Sequence, residues 1–387
     1  MDPDVREARA IRALLELFGD ATGLSINLGK CSLSPISGKE PDLANIINIL
    51  GCQVVELPIN YLGLPLHHGA IPRKYVQSLV DKVAARLPTW RGSLMARSGR
   101  LVWIKSMMTA VPIYTMMANG LPTWARDDIE ACCRRFFWAG ADASSRSMCA
   151  VAWPVVARPL EFGGLGVLDL RLMCLALQVR WLWLRRCPED GDRTWAGLPL
   201  KVAPEVHCLF QASVTFVVGD GRRTLFWTDS WINGKSVEDV APALLGMVSK
   251  RIRPSPRRCP MGVGSGSLGG GAHGSSDQLW DLIRDVSLSQ SQDRLLWRWS
   301  PNGQFNAYRL LHEGSIHRPE IAIVWKTWAP LRVKLFLWLA WQRRIWTADQ
   351  RRRHGLEARA ACYLCNSADE TCDHLLIECS FTHQVWD

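Results

Sequence analysis

The sequence contains no charge-free apolar run of about 18 residues, the length a bilayer-spanning helix requires, so no membrane span and no membrane partner are expected. No apolar stretch follows Met1 either. The start is charged, with Asp2, Asp4, Arg6 and Glu7, and a secretory leader is not expected. Thirteen cysteines are present, but their odd count and irregular spacing do not make a disulfide framework, which points to reduced thiols in an intracellular compartment. The run Gly163-Gly164-Leu165-Gly166 lacks the Lys-Ser/Thr of a phosphate-binding loop and reads as a backbone turn. Adjacent aspartates occur only at Asp127-Asp128, at the expected start of an amphipathic helix, where acidic side chains complement the helix dipole.

What is present is apolar and basic. The 387 residues are 48% hydrophobic, enough for two or three domains with a substantial core. The net charge of +10 favours a polyanionic partner, although a merely soluble basic protein has the same property. Nineteen tryptophans are expected to serve mostly as core and interface anchors, with a few available for base stacking.

The densest chemistry lies near the end. Cys362-Tyr-Leu-Cys365 forms a knuckle whose thiolates can face one ion, and His374 and Cys379 follow with four residues between them. Three sulfurs and one imidazole suit a closed tetrahedral Zn²⁺ site. The intervening loop is polar, and Cys372 within it is a spare thiol that can replace one ligand. Two other readings stand beside zinc. These are ordinary buried cysteines near a surface histidine, and a redox dithiol, which the absence of a thioredoxin-like strand–helix pattern opposes. Just upstream, Arg332, Lys334, Arg343, Arg344, Arg351, Arg352, Arg353 and His354 form the strongest positive cluster, expected to lie partly on a helix over 343–354.

Periodicity predicts helices over 5–19, stopped at Gly19, and over 41–50, 73–87, 101–108, 127–138 and 170–186. The first is expected to bury Ile11, Leu14, Leu15 and Phe18. Residues 22–30 alternate like a strand. The 170–186 helix interleaves Arg171, Arg180, Arg185 and Arg186 with Trp181 and Trp183. It reads equally as a nucleic-acid track and as a packed helix with solvated arginines. Residues 213–231 read as a β-hairpin in which Leu225–Trp227 returns along Val214–Val218 through Gly219-Asp220-Gly221. Residues 250–277 are basic and then Gly/Ser-rich, a linker and domain boundary. Beyond it come a short helix over 277–284, a strand at 295–299, and helices over 323–328 and 333–341.

The order "FGDATGLSINLGKCSLSP", "LGCQVVELPINYLGLPLHHG", "LPTWRGSLMARSGRLVWIKSMMTAVPIYTMMANGLP", "RRFFWAG" and "GDGRRTLFWTDSWING", followed by the Trp-rich helices and the Cys/His box, resembles the C-terminal part of plant-type non-LTR (LINE-type) retrotransposon reverse transcriptases. The resemblance runs from about residue 5 to the end, with the glycine-rich insert at 262–276 as a departure. It implies an α+β, predominantly α-helical protein. The implied segments are a palm remnant at 1–70, a thumb-like helical region at 71–190, a connector with a β-hairpin at 191–249, the linker at 250–277 and a helical zinc-binding domain at 278–387. In that family a Phe/Tyr-x-Asp-Asp strand holds the catalytic metal ions. This sequence has no such motif, so no catalytic residue is assigned and the chain is not expected to polymerise alone. The resemblance further implies Zn²⁺, RNA and/or DNA and other retroelement proteins as partners, and a nuclear location. A protein-interaction module and a non-functional relic are the alternatives.

Overall fold

The computed structural model describes residues 4–35, 40–67, 69, 71–87, 94–140, 149–187, 202–242, 279, 281–284, 286–314 and 319–387. The expected linker at 250–277 lies outside the described residues, as does part of the expected 277–284 helix. The fold is α+β and dominated by helices, with three two-stranded sheets among the described residues. The chain divides into two compact units, Met1–Lys82 and Val83–Asp387.

In the first unit, the helix Val5–Thr22 is capped by Asp4, whose carboxylate accepts the Arg6 N–H at 2.8 Å. It passes through Gly19 and stops at Gly23, which takes the left-handed conformation at φ 72°. The expected burial of its apolar face is not observed: Leu14 is 63% and Phe18 51% exposed, while Ala8 is buried. The expected strand at 22–30 is instead a bend and a short 3₁₀ turn, Leu28–Lys30, capped by the Asn27 side chain. That local hydrogen bond competes with extended pairing. Pairing begins later, where Ser32–Leu33 runs parallel to Gln53–Val54. Ile59–Tyr61 and Leu64–Leu66 form a tight hairpin. Leu62 and Gly63 both have positive φ, at 50° and 81°, the geometry whose twist matches the flanking strands.

In the second unit, helix Arg97–Trp103 continues through a π-type turn, Ile104–Met108, toward helix Val111–Asn119. This Arg97–Ala118 stretch is, among the described residues, the one long and apolar enough to cross a bilayer. Of its apolar side chains, Leu101, Ile104, Met108 and Met116 are buried in the protein, while Val102 and Met117 are exposed. Helix Thr123–Ala139 buries Ile129, Cys133, Phe136 and Phe137. It begins earlier than the expected Asp127, so Asp127-Asp128 sit in its second turn, exposed to water. Helix Leu170–Arg186 has the expected bounds and is capped by Asp169, which accepts the Leu172 N–H. Its Trp183 packs against Trp297 and Phe305, while Arg186 pairs with Asp229.

The hairpin at 213–231 is not formed. Val214–Val217 pairs antiparallel with Arg294–Trp297, in the register Val214↔Trp297 and Val217↔Arg294. The Gly219–Thr224 segment wraps the buried carboxylate of Asp293 without pairing Leu225–Trp227 to the strand, and the Leu225 N–H donates to Asp229 at 2.6 Å. A side chain at Gly219 would meet the Ser291 carbonyl at 2.2 Å. Residues from both sides of 250–277 thus share one core, which includes Val179, Phe210, Val214, Trp297 and Ala307.

Candidate metal centre and its basic surroundings

Helix Leu331–Trp341 enters from Pro330, whose fixed φ suits a helix start. Trp338 is fully buried and donates its indole N–H to the Gly163 carbonyl at 2.8 Å, tying the helix to the glycine-rich turn. The helix ends at Gln342, and Arg343 follows in the left-handed region at φ 53°. A separate short helix, Ala348–Arg353, comes next. The expected continuous basic helix over 343–354 is therefore two elements joined by a turn. The Glu370 carboxylate accepts the Ala348 N–H at 3.0 Å, holding the start of the short helix against the knuckle loop.

The knuckle is built by backbone geometry. The Asn366 N–H reaches the Cys362 carbonyl at 2.9 Å, with Asn366 itself at φ 56°. Asparagine tolerates that conformation better than most residues. The Cys362 N–H bonds back to Ala368, and Ala361 bridges Asp369. His374–Glu378 is a π-type turn closed by the Cys379 N–H on the His374 carbonyl at 2.8 Å. One such turn separates the imidazole from the last thiol, so both meet the knuckle.

The ligand atoms of Cys362, Cys365, His374 and Cys379 all lie within 4.8 Å of one another. Cys362 Sγ is 4.0 Å from Cys379 Sγ, and Cys365 Sγ is 3.2 Å from His374 Nε2. Metal–sulfur bonds of about 2.3 Å at tetrahedral angles place sulfurs about 3.8 Å apart. The donor set therefore fits one zinc-sized ion in chemistry and spacing. Cys362 and Cys379 are fully buried, and His374 nearly so. Burial pushes the Cys362 thiol above its ordinary pKa. Cys365 is lowered to about 6, first by the Ser367 hydroxyl and backbone N–H and then by His374 and Cys379. The Ser367 hydroxyl donates to its sulfur at 3.1 Å. Ser367 was visible in the sequence only as a polar loop residue. Cys372 is not part of the group: its buried thiol donates to the Ala340 carbonyl at 3.3 Å.

The basic residues are placed unequally. Arg343 pairs with Asp373 at 2.7 Å, Arg352 with Asp369 at 3.8 Å and Arg353 with Asp349 at 3.7 Å. The half-buried Lys334 donates to the Trp325 carbonyl at 3.0 Å. Arg332, Arg344 and Arg351 are exposed.

Residues 305–386 match the protein family described as zinc-binding in reverse transcriptase. All four converging side chains fall inside the matched segment. Over 364 residues the chain is 26% identical to an Arabidopsis thaliana protein named "Putative ribonuclease H protein", covering 84% of this chain and 57% of the relative. The chain thus spans little more than half the length of that relative.

Proposed function

We propose that Cys362, Cys365, His374 and Cys379 hold one structural Zn²⁺, and that the chain is the C-terminal portion of a LINE-type reverse transcriptase that binds RNA or DNA through the basic surface beside that ion. The observation that carries the reading is the convergence of three thiols and one imidazole inside the segment similar to zinc-binding domains of reverse transcriptase. A bound zinc ion supplies positive charge that keeps the thiolates ionised in a buried site and cross-links the knuckle to the π-type turn. The chain's own residues do the rest. Ser367 orients Cys365, Glu370 fixes the start of helix Ala348–Arg353, and that helix carries Arg351 and Arg352 on the surface.

In this reading the chain contributes binding and not nucleotide addition, since its sequence carries no Phe/Tyr-x-Asp-Asp motif. The test of the metal is stoichiometric titration of the metal-free full chain with Co²⁺ and Zn²⁺. The expected result is one ion per chain, with the absorption of a tetrahedral thiolate site. A fold that persists without any metal uptake overturns it.

A second reading, a protein-contact module, is favoured by one observation. Ile377, Phe381 and Val385, spaced four apart through the last turn and helix, are all exposed. Binding of single-stranded nucleic acid that falls with salt supports the first reading; salt-independent self-association or none supports the second.

A further inference from the structure

Beside the zinc-binding segment, helix Arg97–Trp103 and the turn at Arg344–Trp346 face one another across a cleft of about 70 Å³. Arg97, Arg344 and His354 line it with Trp346, Gln350 and Cys149, and among the described residues no carboxylate lines it. This sets it apart from the neighbouring surface, where Arg343, Arg352 and Arg353 are each offset by an aspartate. Among the described residues neither Arg97 nor Arg344 forms an ion pair.

One of the two arginines is also held: Arg97 lies over the Trp138 ring at 5.5 Å, while Arg344 is exposed and anchored through its backbone N–H on the Leu339 carbonyl at 2.9 Å. A guanidinium held over a ring loses less freedom on gripping a tetrahedral anion. The cleft is open to solvent and admits one phosphate group. At its rim Trp346 is 53% exposed, and its indole lies 5.4 Å from the His354 ring. An indole supported on one side and open to water is a platform for an unpaired base.

We propose that this cleft takes one backbone phosphate of single-stranded nucleic acid between Arg97 and Arg344, with an adjacent base stacked on Trp346. The assignment rests on the nucleic-acid function proposed for the chain and adds to it a residue from outside the zinc-binding segment, Arg97. Duplex fits poorly, because its bases are already stacked on one another.

Cys149 makes the cleft testable in the unmodified full chain, since it is an exposed thiol in the lining, whereas the exposed Cys208 is not a lining residue. The experiment is alkylation footprinting by peptide mass spectrometry, with and without a single-stranded oligonucleotide, and separately with millimolar inorganic phosphate. The expected result is several-fold protection of Cys149 by the oligonucleotide alone, with Cys208 unchanged. The Arg97→Ala/Arg344→Ala double variant is expected to lose that protection and to lower the salt slope of binding by about 0.7, the value for one neutralised phosphate on a single strand. Trp346→Leu should weaken binding about tenfold, the worth of one stacked base. Equal protection by inorganic phosphate overturns the assignment in favour of a free-anion site. An oligonucleotide that binds with full salt dependence and leaves Cys149 reactive overturns the cleft and spares the proposed function. An oligonucleotide that does not bind at all overturns both. If the double variant misfolds, the footprint on the unmodified chain still decides.

Discussion

Asp293 accepts the backbone N–H of Gly219 at 2.7 Å, although the two residues lie 74 positions apart in the chain. The same carboxylate takes the N–H groups of Gly221, Arg223 and Thr224 at 2.9, 2.8 and 2.9 Å. One buried side chain thereby closes the loop that sequence patterning reads as a hairpin turn. Burial alone would raise its pKa, but the four donors outweigh it and hold the group below the ordinary aspartate value. A depressed folded-state pKa contributes stability that is complete above the unfolded value of about 3.9 and is lost as pH falls through the folded value. Asp293→Asn is expected to cost about 2 kcal/mol in urea unfolding at neutral pH. It should also remove part of the stability loss that the unmodified chain shows below about pH 4. Identical unfolding curves for the two proteins at both pH values would reject the role.

The metal centre predicts a contrast between two cysteines. Cys362→Ser removes a fully buried ligand and should abolish uptake of the ion, with loss of helical signal and protease resistance around the knuckle and the final helix. Cys372→Ser changes a thiol that bonds the Ala340 carbonyl outside the group, and should still bind one ion per chain. Metal analysis of the two purified variants checks both outcomes. Equal zinc content in the two would sink the ligand assignment.

Nucleic-acid binding predicts a salt signature. Changing Arg343, Arg344, Arg351 and Arg352 together to Ala should weaken binding of a single-stranded oligonucleotide and flatten its salt dependence, by about 0.7 in slope for each phosphate left without its arginine. Arg343→Ala alone should do less than Arg344→Ala alone, because the Arg343 charge is already offset by Asp373. Anisotropy titrations across a salt series measure both, and a reversed order of the single variants would contradict the proposed interface.

The hydrogen bond between Trp338 and Gly163 predicts a structural effect without a metal effect. Trp338→Phe leaves the buried Gly163 carbonyl without its donor and should cost about 1–3 kcal/mol. Gly164→Ala places a carbon 2.1 Å from the Arg158 carbonyl and should also lower the melting temperature. Both variants should retain one ion per chain. A phosphate-binding role for this glycine turn would instead require Gly164→Ala to change affinity for phosphate with no change in stability.

Much of the helical framework was legible in the sequence. Helix Leu170–Arg186 has a helical apolar period with Asp169 as its cap, signals that act over one or two turns. The convergence of the four candidate ligands was legible for a similar reason. Cys362 and Cys365 sit in one knuckle, His374 and Cys379 on one turn, so each pair is set by local backbone geometry. Other features were not legible. Leu14 and Phe18 have a core-facing period yet stay exposed, because periodicity marks a face and not its cover. Val214–Val217 reads as a strand from its own residues, but nothing within four residues encodes that its partner is Arg294–Trp297.

The sequence by itself determined the helix-rich class, the three thiols and one imidazole of the candidate metal site and the excess of positive charge. Tertiary structure alone decided which strand Val214–Val217 pairs with, which arginines are offset by aspartates, and that Arg97, Arg344 and Trp346 line one cleft. The division is physical. Caps, periods and knuckles are set by steric and hydrogen-bonding forces that act over a few residues, whereas strand partners and uncancelled charges depend on which distant segments the core brings together.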